Sequence, residues 1–155
     1  MDLFYMEKVN ELAQKNVLQG GGPFGAILLS PNGKLFVEGT NQVIIHKDPT
    51  LHAEISAIRN TCQIIQDFQL TGYTLYSSCE PCPMCLSACY WARIGRIVYG
   101  NTREEAKAIG FDDSLIYEEV LKPMKERSLP MEQIRRQDSM KAFQMWAEKE
   151  DKIKY

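Results

Sequence analysis

The sequence has no apolar run near the ~20 residues that a membrane-spanning helix needs, so no membrane partner is expected. It also lacks an excess of positive charge. Lys and Arg number 18 against 20 Asp and Glu, a formal net charge of −2. Such a balance has no general attraction for phosphate backbones, so nucleic acid is not an expected partner. The start, Met1-Asp2-Leu3, lacks the basic stretch of a secretory leader. Cysteine is sparse and uneven. There are five, with Cys79, Cys82, Cys85 and Cys89 crowded together and Cys62 apart. An odd, clustered set suits a metal site in a reducing compartment better than a disulfide framework, and the cytoplasm is the expected location. Of the two histidines, His46 reads as an exposed loop residue and His52 as part of a motif.

What is present is ordinary for a soluble globular domain: 155 residues, 45% apolar and 25% charged. That length supports one domain with a real core. Leu3, Met6, Val9, Ala13 and Val17 recur at helical spacing over residues 3–18. Gly20-Gly21-Gly22-Pro23 ends that helix. Residues 24–29 and 34–39 read as a hairpin around Pro31-Asn32-Gly33. Residues 52–65 form the next helix, with Ile55, Ile58, Cys62 and Ile65 on one stripe. Residues 73–77 and 96–99 are strands, with a helix from Pro83 to about residue 93 between them. Helices over 114–121 and 140–149 follow, with a short fifth strand expected over 131–135. No repeat, low-complexity segment or linker interrupts 1–155. The alternation of strands and helices argues for an α/β layer structure.

The chemistry concentrates in His52-Ala53-Glu54 and Pro81-Cys82-Pro83-Met84-Cys85. Cys82 and Cys85 stand at i and i+3 at a helix start, so both sulfurs can meet one ion. The free N–H groups there favour thiolate, the form that binds zinc. His52, Cys82 and Cys85 supply three ligands and leave a fourth position for water, as a catalytic zinc requires. Glu54 is the spare carboxylate, close enough to move protons. Other readings remain open. Cys79 or Cys89 as a fourth ligand would make the zinc structural, and a Cys-x-x-Cys alone also suits a redox pair. Cys62 and Cys89 read as small core residues. Asn41, after the second strand, suits either a hydrogen bond to a polar heterocycle or a strand-end turn.

The pairing of H-x-E with P-C-x-x-C resembles the cytidine-deaminase-like superfamily of zinc deaminases. Within it the chain is similar to small bacterial-type guanine deaminases over nearly its whole length. That similarity runs through Gly21-Gly22-Pro23-Phe24-Gly25-Ala26, Asp48-Pro49-Thr50, Ser78-Cys79-Glu80, Tyr90-Trp91-Ala92-Arg93, Gly110-Phe111-Asp112-Asp113-Ser114, and Phe143-Gln144-Met145-Trp146 to Lys154-Tyr155. The resemblance implies a three-layer α/β/α sandwich around a five-stranded mixed sheet. It implies one zinc per subunit and hydrolysis of guanine to xanthine and ammonia, with hydroxide attacking C2 and Glu54 shuttling protons. It implies that Asn41 binds the base, that Phe24 and Trp91 help form its pocket, and that Asp113 contacts the guanine and assists proton transfer. It further implies a homodimer in which residues 139–155 cross to the partner subunit and Tyr155 closes the partner's site. From the residues alone, Phe24 reads as core, Asp113 as a helix cap and Tyr155 as a loose end. Deaminases of guanosine, cytosine, an aminotriazine or tRNA adenosine share the motif. A zinc-stabilised binding module without catalysis is the reading from another class.

Overall fold

The computed structural model describes residues 1–155. Two compact units divide the chain, residues 1–113 and 114–155. The first contains α1 (Asp2–Leu18), β1 (Gly25–Leu29), β2 (Phe36–Thr40), α2 (Val43–His46), α3 (Ala53–Ile65), β3 (Thr74–Cys79), α4 (Pro83–Trp91), β4 (Arg96–Asn101) and α5 (Arg103–Ala108). The second contains α6 (Ser114–Leu121), a 3-10 turn at Met124–Glu126 and α7 (Arg136–Glu148).

The sheet has four strands in the order β2-β1-β3-β4. β1 pairs antiparallel with β2 and β3, while β3 and β4 run parallel. The parallel pair needs a crossover, and α4 supplies it. Every residue of β1 is buried, as expected of a strand covered on both faces. Alternate side chains sort into two cores. Ala26 and Leu28 pack with Ala53 and Ala57 of α3 and Cys89 of α4. Ile27 and Leu29 pack with Tyr5 and Val9 of α1. Helices therefore cover both faces of the sheet.

The expected fifth strand is absent, because residues 131–135 carry no regular structure. Met131 and Ile134, its apolar residues, stand three apart. A strand would send them to opposite faces, so the stretch has no apolar side to bury. The buried face of α1 is Tyr5, Val9, Ala13 and Asn16, with Leu3 and Val17 exposed. Helix α2 forms where a loop was expected, and α7 begins four residues early.

One close approach sets the position of α3. A Cβ on Gly39 of β2 would lie 2.3 Å from the Ala53 carbonyl oxygen and 2.4 Å from the Ala57 nitrogen. Glycine at 39 and alanine at 53 and 57 let the helix backbone rest on the strand. His52 and Glu54 stand at the end of that helix.

The second unit has its own ties. Lys122 pairs with Glu119 at 2.7 Å, and Glu119 also accepts from the Ser128 backbone N–H at 2.6 Å. Its helices leave Phe143 and Trp146 exposed.

Candidate active site

Two helix starts meet at the site. His52 is the N-cap of α3 and Cys82 is the N-cap of α4, and neither side chain caps its own helix. Both have the extended backbone usual at an N-cap, with ψ of 163° and 169°, and their side chains meet each other instead of the helix N–H groups. Pro83 takes the first helical position of α4, where a missing N–H costs nothing. Cys85 follows one turn in and is fully buried.

His52 Nδ1 lies 3.6 Å from Cys82 Sγ and 3.5 Å from Cys85 Sγ. All three ligand atoms fall within 4.8 Å of one another. Tetrahedral zinc with one nitrogen and two sulfur ligands needs N···S edges of about 3.6 Å, from the usual Zn–N and Zn–S bond lengths. The donor set and spacing fit zinc. The fit also names Nδ1 as the ligating nitrogen.

The electrostatics agree. The Cys85 S–H and the His52 ring hold the Cys82 thiol down to about 4, against the opposing effect of burial. The paired Cys82 sulfur and burial push Cys85 up, so the two sulfurs share one proton between them. A dication placed there would displace that proton and leave two thiolates. Hydrogen bonding to Cys82 raises His52. Cys79 and Cys89 stand outside the ligand cluster. Burial pushes them up to about 11 and about 12, so both are thiols. Cys79 donates its S–H to the Thr102 carbonyl at 3.7 Å.

Glu54 is 6% exposed. Its Oε2 accepts from Cys85 Sγ at 3.4 Å and its Oε1 from Ser77 Oγ at 3.5 Å. Burial raises its pKa, with the Cys82 charge adding to the effect. This is a carboxylate beside the ligand set and not in it. Ser77, on the inner strand β3, gave no signal in the sequence beyond lying in a strand.

The remaining residues divide. Asn41 is buried, and its Oδ1 accepts from the Val43 N–H at 3.3 Å. Phe24 is half-buried and meets Phe111 edge-to-face, with ring centroids 4.9 Å apart. It packs against the core cluster of Ala26, Leu28, Ala53 and Ala57. Asp113 closes the first unit half-buried; desolvation raises its pKa, and the Cys82 charge reaches it. Trp91 ends α4 with 65% of its surface exposed. Tyr155 ends the second unit and is also exposed. His46 lies elsewhere, on a cavity of about 520 Å³ with Glu38, Ser56 and Arg59. That cavity contains none of the ligand cluster.

Residues 1–101 match the family described as the cytidine and deoxycytidylate deaminase zinc-binding region. The chain is 42% identical to guanine deaminase of Bacillus subtilis (strain 168) over 152 residues, 97% of each protein. The X-ray structure of guanine deaminase from Bacillus subtilis superposes with a TM-score of 0.93 at 42% identity, covering 98% of this chain and 97% of that one. Guanine deaminase from Nitrosomonas europaea superposes with a TM-score of 0.66 at 31% identity, covering 70% of this chain and 63% of that one. A tRNA-specific adenosine deaminase of Haemophilus influenzae is 43% identical over 108 residues, 66% of this chain and 62% of that protein.

Proposed function

Because the chain belongs to the cytidine and deoxycytidylate deaminase zinc-binding family, we propose that it is a zinc-dependent guanine deaminase, converting guanine and water to xanthine and ammonia. The observation that carries the chemistry is the buried Glu54 carboxylate 3.4 Å from Cys85 and outside the three-ligand cluster. A structural metal site has no use for such a neighbour.

His52, Cys82 and Cys85 would hold the zinc. When bound, zinc lowers the pKa of a water in its open position to roughly 7 and so supplies a nucleophile near neutral pH. Glu54 takes the proton of the attacking water and delivers it to a ring nitrogen as oxygen adds to C2. It then carries the second proton to the exocyclic nitrogen, and the C2–N bond breaks to release ammonia. Burial suits Glu54 to this work, since a raised pKa lets it hold the proton between transfers. Asn41 hydrogen-bonds the base, with Phe24 and Trp91 forming its walls. Asp113 accepts from the guanine and assists the proton transfer at the departing amine.

In the same reading the protein acts in the cytoplasm, in purine breakdown or salvage. It works as a homodimer whose residues 139–155 cross to a second copy, where Tyr155 closes the site. Support comes from uncovered apolar surface in each unit. Strand β4 has a neighbour on one side alone and exposes Tyr99, while α7 exposes Phe143 and Trp146. Such patches mark interfaces. The likeness to the Bacillus subtilis guanine deaminase extends through this C-terminal unit, whereas the likeness to the tRNA-specific enzyme covers two thirds of the chain.

The test is ammonia release by the zinc-loaded protein from guanine, guanosine, adenine, cytosine, an aminotriazine and tRNA adenosine. Guanine turnover well above the rest is expected. Preference for another amine would keep the zinc chemistry and overturn the guanine assignment.

A further inference from the structure

Asn16 is a polar residue on the buried face of α1, with 1% of its surface exposed. Its Nδ2 donates to two backbone carbonyls, those of Gly22 and Asn41, both at 2.8 Å. Its Oδ1 faces Gln42 Nε2 at 3.5 Å. Two carbonyls on one end fix which way the amide points, because an oxygen there would face two acceptors. The Asn16 carbonyl also accepts from the Gly21 N–H at 2.8 Å. One residue thus joins the end of α1, the glycine loop and the segment after β2. Gly21 is moulded to it: a Cβ at 21 would lie 2.4 Å from Asn16 Nδ2.

Asn41 is held through its backbone on both sides. Its N–H donates to the Phe24 carbonyl at 3.1 Å, and its carbonyl accepts from Asn16. Its side-chain oxygen is engaged by the Val43 N–H, which leaves the NH2 end to face a base. A Cβ on Gly22 would lie 3.2 Å from the Asn41 side chain, so the loop is the surface against which that amide rests.

We infer that Asn16 is a positioning residue for base recognition, its buried amide setting the 41–42 peptide plane and residues 22–24 in the register that aims Asn41 and Phe24 at the purine. The inference rests on the proposed role of Asn41. Asn16 does not touch the base or the metal ligands. Its loss acts on substrate binding and leaves the proton steps alone. Interactions made equally in the ground and transition states change KM and spare kcat.

The experiment uses the full-length zinc-loaded protein with Asn16→Asp, Asn16→Ala, Asn41→Ala and the Asn16→Ala/Asn41→Ala pair. Melting temperature, zinc content, kcat and KM for guanine, and calorimetric binding of xanthine are measured for each. Asn16→Asp keeps the shape and removes the donor. The expected result is a KM raised about tenfold, as for a lost buried donor, with xanthine binding weakened in parallel and zinc stoichiometric. The kcat should stay within about threefold, and Asn16→Ala should add little on top of Asn41→Ala. A purely structural role would lower the melting temperature or the active fraction with KM and xanthine affinity unchanged, and that result overturns the inference. If Asn41→Ala itself leaves KM unchanged, the assignment of Asn41 fails and this inference falls with it. Should both Asn16 variants fail to fold, Gly21→Ala displaces the same amide from outside. A raised KM there supports the inference, and an unchanged KM overturns it.

Discussion

Replacing Glu54 by glutamine removes a proton carrier and keeps its volume. The site accepts the change: Ser77 Oγ can still donate to one end, and the new amide can donate to the Cys85 sulfur that now sits 3.4 Å from Oε2. Zinc should therefore remain bound at one per subunit. The catalytic loss follows from the work assigned to one carboxylate. A positioned general acid or base contributes about 10²–10⁴-fold, and Glu54 performs both transfers, so a loss near 10⁴, about 5.4 kcal/mol, is expected in kcat. Stability should move the other way once zinc is stripped with a chelator. Burial raises the Glu54 pKa, so the favourable state of the folded protein is the protonated one. That contribution is present below the ordinary carboxylate range and is lost as pH rises through the raised value. The chelator-treated parent should therefore lose stability across that rise, and the Glu54→Gln protein should lose less. The assays are ammonia release, metal analysis and thermal melts at several pH values. Turnover within tenfold of the parent, with zinc intact, would refute the proton-shuttle argument.

Cys82→Ser should abolish metal retention on dialysis. Its melting temperature should match that of the chelator-treated parent, since a ligand at 1,000 times its Kd adds about 4 kcal/mol. Gly39→Ala forces a Cβ to within 2.4 Å of two α3 backbone atoms, and should cost about 1–3 kcal/mol by overpacking and reduce zinc content by shifting His52. Asp2→Asn should destabilise at neutral pH, because Asp2 accepts from Tyr76 Oη at 2.7 Å and pairs with Arg96 at 2.7 Å. The Arg96 and Tyr76 bonds hold the Asp2 carboxyl at about 2. The difference between parent and variant, read by melts, should shrink as pH falls from about 4 toward 2. Deleting Tyr155 should lower guanine turnover and leave zinc content unchanged; an unaffected rate would remove the cap from the mechanism.

The ligand set was legible because zinc chemistry dictates residue type and short-range spacing. Thiolates three apart at a helix start can only face one way, and His-x-Glu at another start puts a nitrogen and a carboxylate on one end. The wrong fifth strand shows where short patterns fail. Residues 131–135 hold one β-branched side chain, Ile134, beside Met131, Glu132, Gln133 and Arg135, so the stretch has neither the propensity nor the common apolar face of a strand. The buried stripe of α1, Tyr5, Val9, Ala13 and Asn16, departs from its apolar spacing for a related reason. Leu3 and Val17 are apolar yet exposed, while Asn16 is polar and buried because three segments bring it partners. Hydropathy records what a side chain prefers and carries nothing about partners distant in the chain. The sequence alone pointed to zinc, to His52, Cys82 and Cys85 as a group able to hold it and to Glu54 beside them, and the structure brings the three donors within 4.8 Å of one another, since donor atoms and helix-start spacing are local properties. Only the packed chain shows that His52 turns Nδ1 to the two sulfurs, that Ser77 meets Glu54, and that Asn16 reaches Asn41 across 25 residues of chain. Those depend on how α1, α3 and α4 pack on one sheet, and packing is a property of the whole chain.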